Sequence, residues 1–134
     1  MDISSINWLA VIAAAFAAFA LGAVWYGPLF SKPWMKSIGA TEEDISKGSM
    51  TKIFGTAFVL MALMAFCLAM FLNNPEMGLQ KGGFYGFLAG FGWVAPALIV
   101  NALYEQRPAV YMAINSGYWI LVFTIMGLIL GGWR

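Results

Sequence analysis

The sequence predicts an all-α protein, a bundle of four helices that cross a membrane. Three observations lead there. Of the 134 residues, 62% are hydrophobic and 10% charged, with a mean hydropathy of +0.81. A soluble domain carries roughly 25% charged residues, so this chain has too few polar groups to cover a globule. The apolar residues gather into four runs, each near the ~20 residues that cross ~30 Å of hydrocarbon. Most charges fall between those runs, which leaves a single transmembrane domain over residues 1–134 and no room for a soluble one.

The first run, Ile6 to Tyr26, contains no charge. A signal peptide would open with lysine or arginine. Here Asp2 stands before the run and further runs follow, which favours a retained helix. Gly27, Pro28 and Pro33 are expected to stop it, because proline lacks an amide donor and disfavours helix before it. Most of the charge lies from Ser31 to Lys52, where Thr41-Glu42-Glu43-Asp44 resembles a capping box and predicts a short cytoplasmic interfacial helix between the first and second spans. The three acids read as a solvated first turn on a helix dipole. The second run, Ile53 to Leu72, is closed by the turn Asn73-Asn74-Pro75. The third runs from Gly82 to Tyr104 and the fourth from Tyr111 to about Trp133, joined by the tight hairpin Glu105-Gln106-Arg107-Pro108. The spans are thus about 6–26, 53–72, 82–104 and 111–133.

Lysine and arginine set the expected orientation. Lys32, Lys36, Lys47, Lys52 and Arg107 fall on one side, Lys81 and Arg134 on the other. The positive-inside rule puts the first and third loops in the cytoplasm and both termini outside. A multi-pass protein of the cell membrane, a bacterial inner membrane, is expected. Trp25, Tyr26, Tyr104 and Tyr111 would then sit at the inner interface, and Trp8, Tyr85 and Trp133 at the outer one.

Small residues recur at a spacing of four: Ala10, Ala14, Ala18 and Gly22 in the first span, and Gly82, Gly86 and Gly90 in the third. Gly127 and Gly131 continue a face of the fourth through Gly117 and Thr124. Four residues is close to one turn, so each set forms a flat stripe where another backbone approaches closely, unless chance in a Gly- and Ala-rich chain produced it. Short loops predict that sequential helices are antiparallel neighbours, with at least one stripe left for a second copy. Membrane lipids and a homo-oligomer are the expected partners. Pro96 predicts a kink, leaving the Gly92 carbonyl without its helical donor beside Trp93.

Polar groups within lipid are costly and therefore informative. One depth collects several: Tyr26 ends the first span, Thr56 begins the second, Asn101 and Glu105 end the third, and Asn115 and Ser116 begin the fourth. Arg107 in the hairpin can pair with Glu105. This cluster is the candidate binding or proton-handling site. The plainer reading has Asn101 and Asn115 bonded across helices while Glu105 and Arg107 brace a turn. Asn7 is placed to cap the first helix.

Much chemistry is excluded. The chain has no histidine, so the commonest general base and metal ligand is missing. Its single cysteine, Cys67, allows no internal disulfide or multi-cysteine metal site. Met61, Met64, Cys67 and Met70 hint at copper(I), but a spacing of three drifts around a helix, so these read as packing residues. Seven basic against six acidic residues argue against nucleic acid. With Glu105 the only carboxylate near a span's end, and no phosphate loop or nucleophile elbow, neither catalysis, cofactor nor metal is expected.

Several segments resemble domain-of-unknown-function family 1761. They are Asn7-Trp8-Leu9-Ala10-Val11, Leu21-Gly22-Ala23-Val24-Trp25-Tyr26-Gly27-Pro28-Leu29-Phe30, Trp34, Thr41-Glu42-Glu43, Asn101, Tyr104-Glu105-Gln106-Arg107-Pro108, Ile114-Asn115-Ser116-Gly117-Tyr118-Trp119, and Ile125-Met126-Gly127 with Gly131 and Trp133. The resemblance implies a small, mostly bacterial four-helix membrane protein and carries no assigned activity. Two functional classes follow. One is a non-enzymatic, self-associating bundle that works through protein or lipid contacts. The other is a proton or small-solute transporter or channel formed by an oligomer.

Overall fold

The computed structural model describes residues 3–46 and 48–133. Asp2, Lys47 and Arg134, used above for the leader and charge arguments, lie outside the described residues. The order of elements is α1 (Trp8–Val24), a π-turn (Trp25–Leu29), α2 (Ser31–Ile38), α3 (Glu42–Ser46), α4 (Met50–Phe71), α5 (Leu79–Ala89), a second π-turn (Gly90–Val94), α6 (Ala95–Tyr104) and α7 (Ala109–Gly132). Four stretches are long and apolar enough to cross a membrane: Trp8–Leu29, Met50–Phe71, Leu79–Tyr104 and Ala109–Gly132.

Side chains near each boundary account for it. Asn7 accepts from the Ala10 amide at 3.1 Å and starts α1. Thr41 and Asp44 cap α3 reciprocally, at 3.0 and 3.2 Å. Ser49 takes the Lys52 amide and starts α4. The hairpin after α6 is a Schellman closure: Gln106 adopts a left-handed φ of 59°, and the Gln106 and Arg107 amides bond to Leu103 and Ala102.

Pro28 and Pro33 do not end helix where they were expected to. Pro28 lies inside the π-turn, where the Phe30 amide reaches five residues back to Trp25 and the missing proline donor is bypassed. Pro33 sits in the first turn of α2, where no intrahelical donor is needed. Pro96 is accommodated similarly: the Ala95 amide reaches back to Gly90, and proline follows in the first turn of α6.

The bundle is built around α1 and α7. Ala10, Ala14 and Ala18 of α1 are fully buried against Ala65 and Leu68 of α4 and Tyr118, Val122 and Met126 of α7. On the other flank of α7, α5 makes backbone contact. A methyl placed on Gly82 would collide with the Gly127 carbonyl and lie 2.8 Å from the Gly131 Cα, while one on Gly127 would lie 3.1 Å from the Gly86 Cα. The second and third spans, though consecutive in the chain, do not pack along each other. Phe71 and Trp93 meet at a tilt of 58° with centroids 6.5 Å apart, beside a groove of about 510 Å³ that Leu68, Tyr85 and Leu88 also line. The glycine seam draws the third span onto the fourth instead.

Candidate functional site

The ends of α1 and α6 and the starts of α4 and α7 share one end of the bundle, here the charged end. Three donors join the first span to α7 in that half. The Trp25 indole donates to the Ile114 carbonyl at 3.0 Å, the Tyr26 hydroxyl to Asn115 Oδ1 at 2.5 Å, and the Tyr118 hydroxyl to the Ala18 carbonyl at 2.7 Å. The last bond needs Gly22, one turn beyond Ala18, because a Cβ there would lie 2.9 Å from the Tyr118 oxygen. Gly117 similarly leaves room for the Trp25 ring, which a Cβ would meet at 3.2 Å.

Aromatic rings fill the space between these bonds. Tyr26 meets Tyr118 and Trp34 edge-on, each at 5.3 Å, and Trp25 lies 4.7 Å from Phe30. Trp119 continues the cluster, 5.0 Å from Tyr118. Each such pair contributes about 0.5–1.5 kcal/mol beyond the area it buries, a range that includes the ~0.6 kcal/mol typical of an interhelical hydrogen bond. Ring packing and hydrogen bonds therefore contribute to the cohesion of this region on the same scale, and the hydrogen bonds set its register.

Of the residues singled out in the sequence, Tyr26 and Asn115 are bonded directly. Ser116 is buried at 7% exposure with its hydroxyl unpartnered. Thr56, Asn101 and Glu105 lie on the exposed surface. Asn101 and Glu105 are linked only by the helix bond from the Glu105 amide, at 3.0 Å. The Arg107 guanidinium stacks over the Tyr111 ring at 5.5 Å and forms no ion pair with Glu105. Hence Asn115 bonds to Tyr26 and not to Asn101. The ten small residues selected for packing face neighbours within one copy: the alanines are buried in the core, and the glycines meet Trp25, Tyr118 or the α5–α7 seam. Chemically, the bonded cluster consists of neutral donors with acceptors, an arrangement that holds helices together.

The sequence reading missed Trp25 and Tyr118 as bonding groups. A Tyr one turn after Asn-Ser at the start of a span, opposite a glycine, was the available signal. It also missed a cluster at the other end. There Asn7 donates to the Trp133 carbonyl at 3.2 Å and Asn73 to Ser5 at 2.7 Å, around a cavity of about 360 Å³ that Ala69 and Leu130 help line. Its polar members come from three separate segments, so no local pattern announces it.

Residues 9–131 match the family described as "Protein of unknown function (DUF1761)". The chain belongs to this family. That agrees with the resemblance noted in the sequence, and the family description assigns no activity. Comparison with curated proteins and with solved structures gave no match.

Proposed function

We propose that this member of the family is a non-enzymatic bundle of the bacterial inner membrane that associates with copies of itself and works through contacts with proteins or lipids. The observation that carries this reading is a contrast in polar placement. Trp25, Tyr26 and Tyr118 find acceptors inside the chain, whereas Trp93 is 69% exposed and Asn101 is exposed on the third span. Donors facing hydrocarbon are costly unless a neighbour accepts them. Since the glycine stripes are occupied within one copy, the surface for self-association is the outward face of the third span. Single-molecule photobleaching in lipid bilayers tests this: wild type should give dimers or higher oligomers, and Trp93→Leu with Asn101→Leu should shift them toward monomer. A wild type that stays monomeric as its density in the bilayer rises removes the reading.

The transport alternative requires a polar path through Asn101, Asn115 and Glu105. Asn115 is tied to Tyr26 while the other two lie on the exposed surface, which favours the contact reading. Liposome flux separates the two. Flux above protein-free background that falls with Asn101→Leu/Glu105→Gln supports transport, and background flux in both proteins removes it. The charge count further proposes that both termini lie outside the cytoplasm. A cysteine placed at Ser46 should then resist impermeant thiol reagents on intact cells, and labelling would reverse the topology.

A further inference from the structure

The chain repeats itself. Ala10, Ala14, Ala18 and Gly22 of the first span stand at one constant separation from Gly78, Gly82, Gly86 and Gly90. Phe16, Phe19, Trp25 and Pro28 stand at that same separation from Phe84, Phe87, Trp93 and Pro96. Gly55, Ala65 and Ala69 of the second span likewise match Gly117, Gly127 and Gly131 of the fourth. The packing follows the pattern: Ala10 and Ala69 line one cavity, and a methyl on Gly131 would meet the Gly78 carbonyl. The bundle is two helical hairpins of one plan.

Those hairpins face each other along two interfaces. One is closed: the first span packs on the fourth, and the Trp25 indole donates to the Ile114 carbonyl at 3.0 Å. The other, between the second and third spans, stays open as the groove of about 510 Å³ lined by Leu68, Phe71, Tyr85, Leu88 and Trp93. Trp93, the counterpart of Trp25, lies near the middle of the third span. Its indole N–H has no acceptor among the described residues. The volume falls in the ~300–1,000 Å³ range of small-molecule sites. Many transporters built from internal repeats hold their ligand where the repeats meet, beside Gly- and Pro-interrupted segments.

The lining sets the chemistry of an occupant. It contains no charged residue among those described, so a charged molecule would stand unpaired in hydrocarbon. Phe71, Leu88 and Trp93 are exposed, which opens the groove to lipid-soluble molecules. An indole N–H only donates, and at this depth it needs an acceptor. The acceptor at its counterpart is a carbonyl. The rings of Phe71, Tyr85 and Trp93 offer stacking surface to another ring. We infer that the groove binds an uncharged, lipid-soluble ring compound bearing a carbonyl, of the quinone class, to which Trp93 donates. The inference goes beyond self-association and rests only on the membrane placement of the four spans.

The test uses the full chain in nanodiscs holding one copy each, so that no second copy covers the groove; photobleaching reads self-association separately. The probe is decylubiquinone. Decylbenzene, with the same tail on a ring without carbonyls, is its control, and bound probe is counted by native mass spectrometry against empty discs. Wild type should bind the quinone saturably and decylbenzene about threefold more weakly, the factor set by one average hydrogen bond in a bilayer. Trp93→Phe should weaken the quinone by the same factor and leave decylbenzene unchanged. Leu88→Trp fills the groove and should abolish binding of both. Val59→Trp, on the opposite and exposed side of α4, should not. No saturable binding by wild type overturns the inference, as do equal affinities for the two probes or wild-type binding in Leu88→Trp. Displacement of the quinone by an equal amount of diacylglycerol would mark a lipid-ester site and overturn it too.

Discussion

The first and third spans share one spacing, Gly22, Trp25 and Pro28 in the former and Gly90, Trp93 and Pro96 in the latter, and both widen into a π-turn there. Both glycines press on the same stretch of α7, Gly22 on Tyr118 and Gly90 on Ile120. Yet Trp25 turns inward and bonds to Ile114, while Trp93 faces outward at 69% exposure. The position of the turn explains this. In the first span it begins at Trp25, so Gly22 and Trp25 are separated by ordinary α-helix and share a face. In the third it begins at Gly90, and closing five residues back spreads each turn over more residues. Three steps then rotate less, and Trp93 misses the face that Gly90 holds. A widened turn accommodates the missing donor near each of these prolines. The neighbouring helix decides where it falls.

The largest expected difference between the two regions lies at the glycines. Gly90 abuts backbone, with the Ile120 Cα 2.9 Å from an added Cβ, whereas Gly22 abuts the far end of the Tyr118 side chain. Gly90→Ala should therefore cost about 1–3 kcal/mol as overpacking, and Gly22→Ala less, because the hydroxyl can swing aside. Unfolding in bicelles measures both, and equal losses would break the contrast. At the tryptophans, Trp25→Phe should cost about 0.6 kcal/mol, and ~1.7 at most, through the lost bond to Ile114. Trp93→Phe should leave the stability of a single copy unchanged, and a cost matching that of Trp25→Phe would show that both indoles are bonded within the chain. A double-mutant cycle of Tyr26→Phe and Asn115→Leu should give a coupling near the same ~0.6 kcal/mol; a coupling of zero removes that bond from the account. The smallest effect is expected at the prolines. If packing against α7 places the turns, Pro28→Ala and Pro96→Ala should leave both in place, seen as slow exchange of the Phe30 and Ala95 amides. Loss of protection at either position would return control to the proline.

The same turns set the limit of what the sequence discloses. The four spans follow from hydropathy, and the caps at Asn7 and at Thr41 with Asp44 follow from residue type and spacing. The partners of Asn101 do not. Counting α-helical turns from the Gly82–Gly86–Gly90 stripe to Asn101 runs through a π-turn, and the phase is lost on the way. Helix α2 escaped for a related reason, since Pro33 interrupts a helix in mid-course but is harmless in a first turn. Chain order also misled: the residues between Leu72 and Gly78 let the third span leave the second and settle on the fourth.

One mechanical consequence follows from the seam between α5 and α7. Gly82, Gly86, Gly127 and Gly131 bring carbonyl and Cα atoms into contact, and such a surface holds no rotamer that can flip to relieve a shift. The third and fourth spans are thus geared as one stiff piece. The first span meets α4 and α7 through rings as well as small residues, Phe16 on Phe58 and Tyr118 on Tyr26 beside the buried Ala10, Ala14 and Ala18. Side chains that can change rotamer are found between the first two spans and α7, so a shift there is expected to cost less than one along the glycine seam.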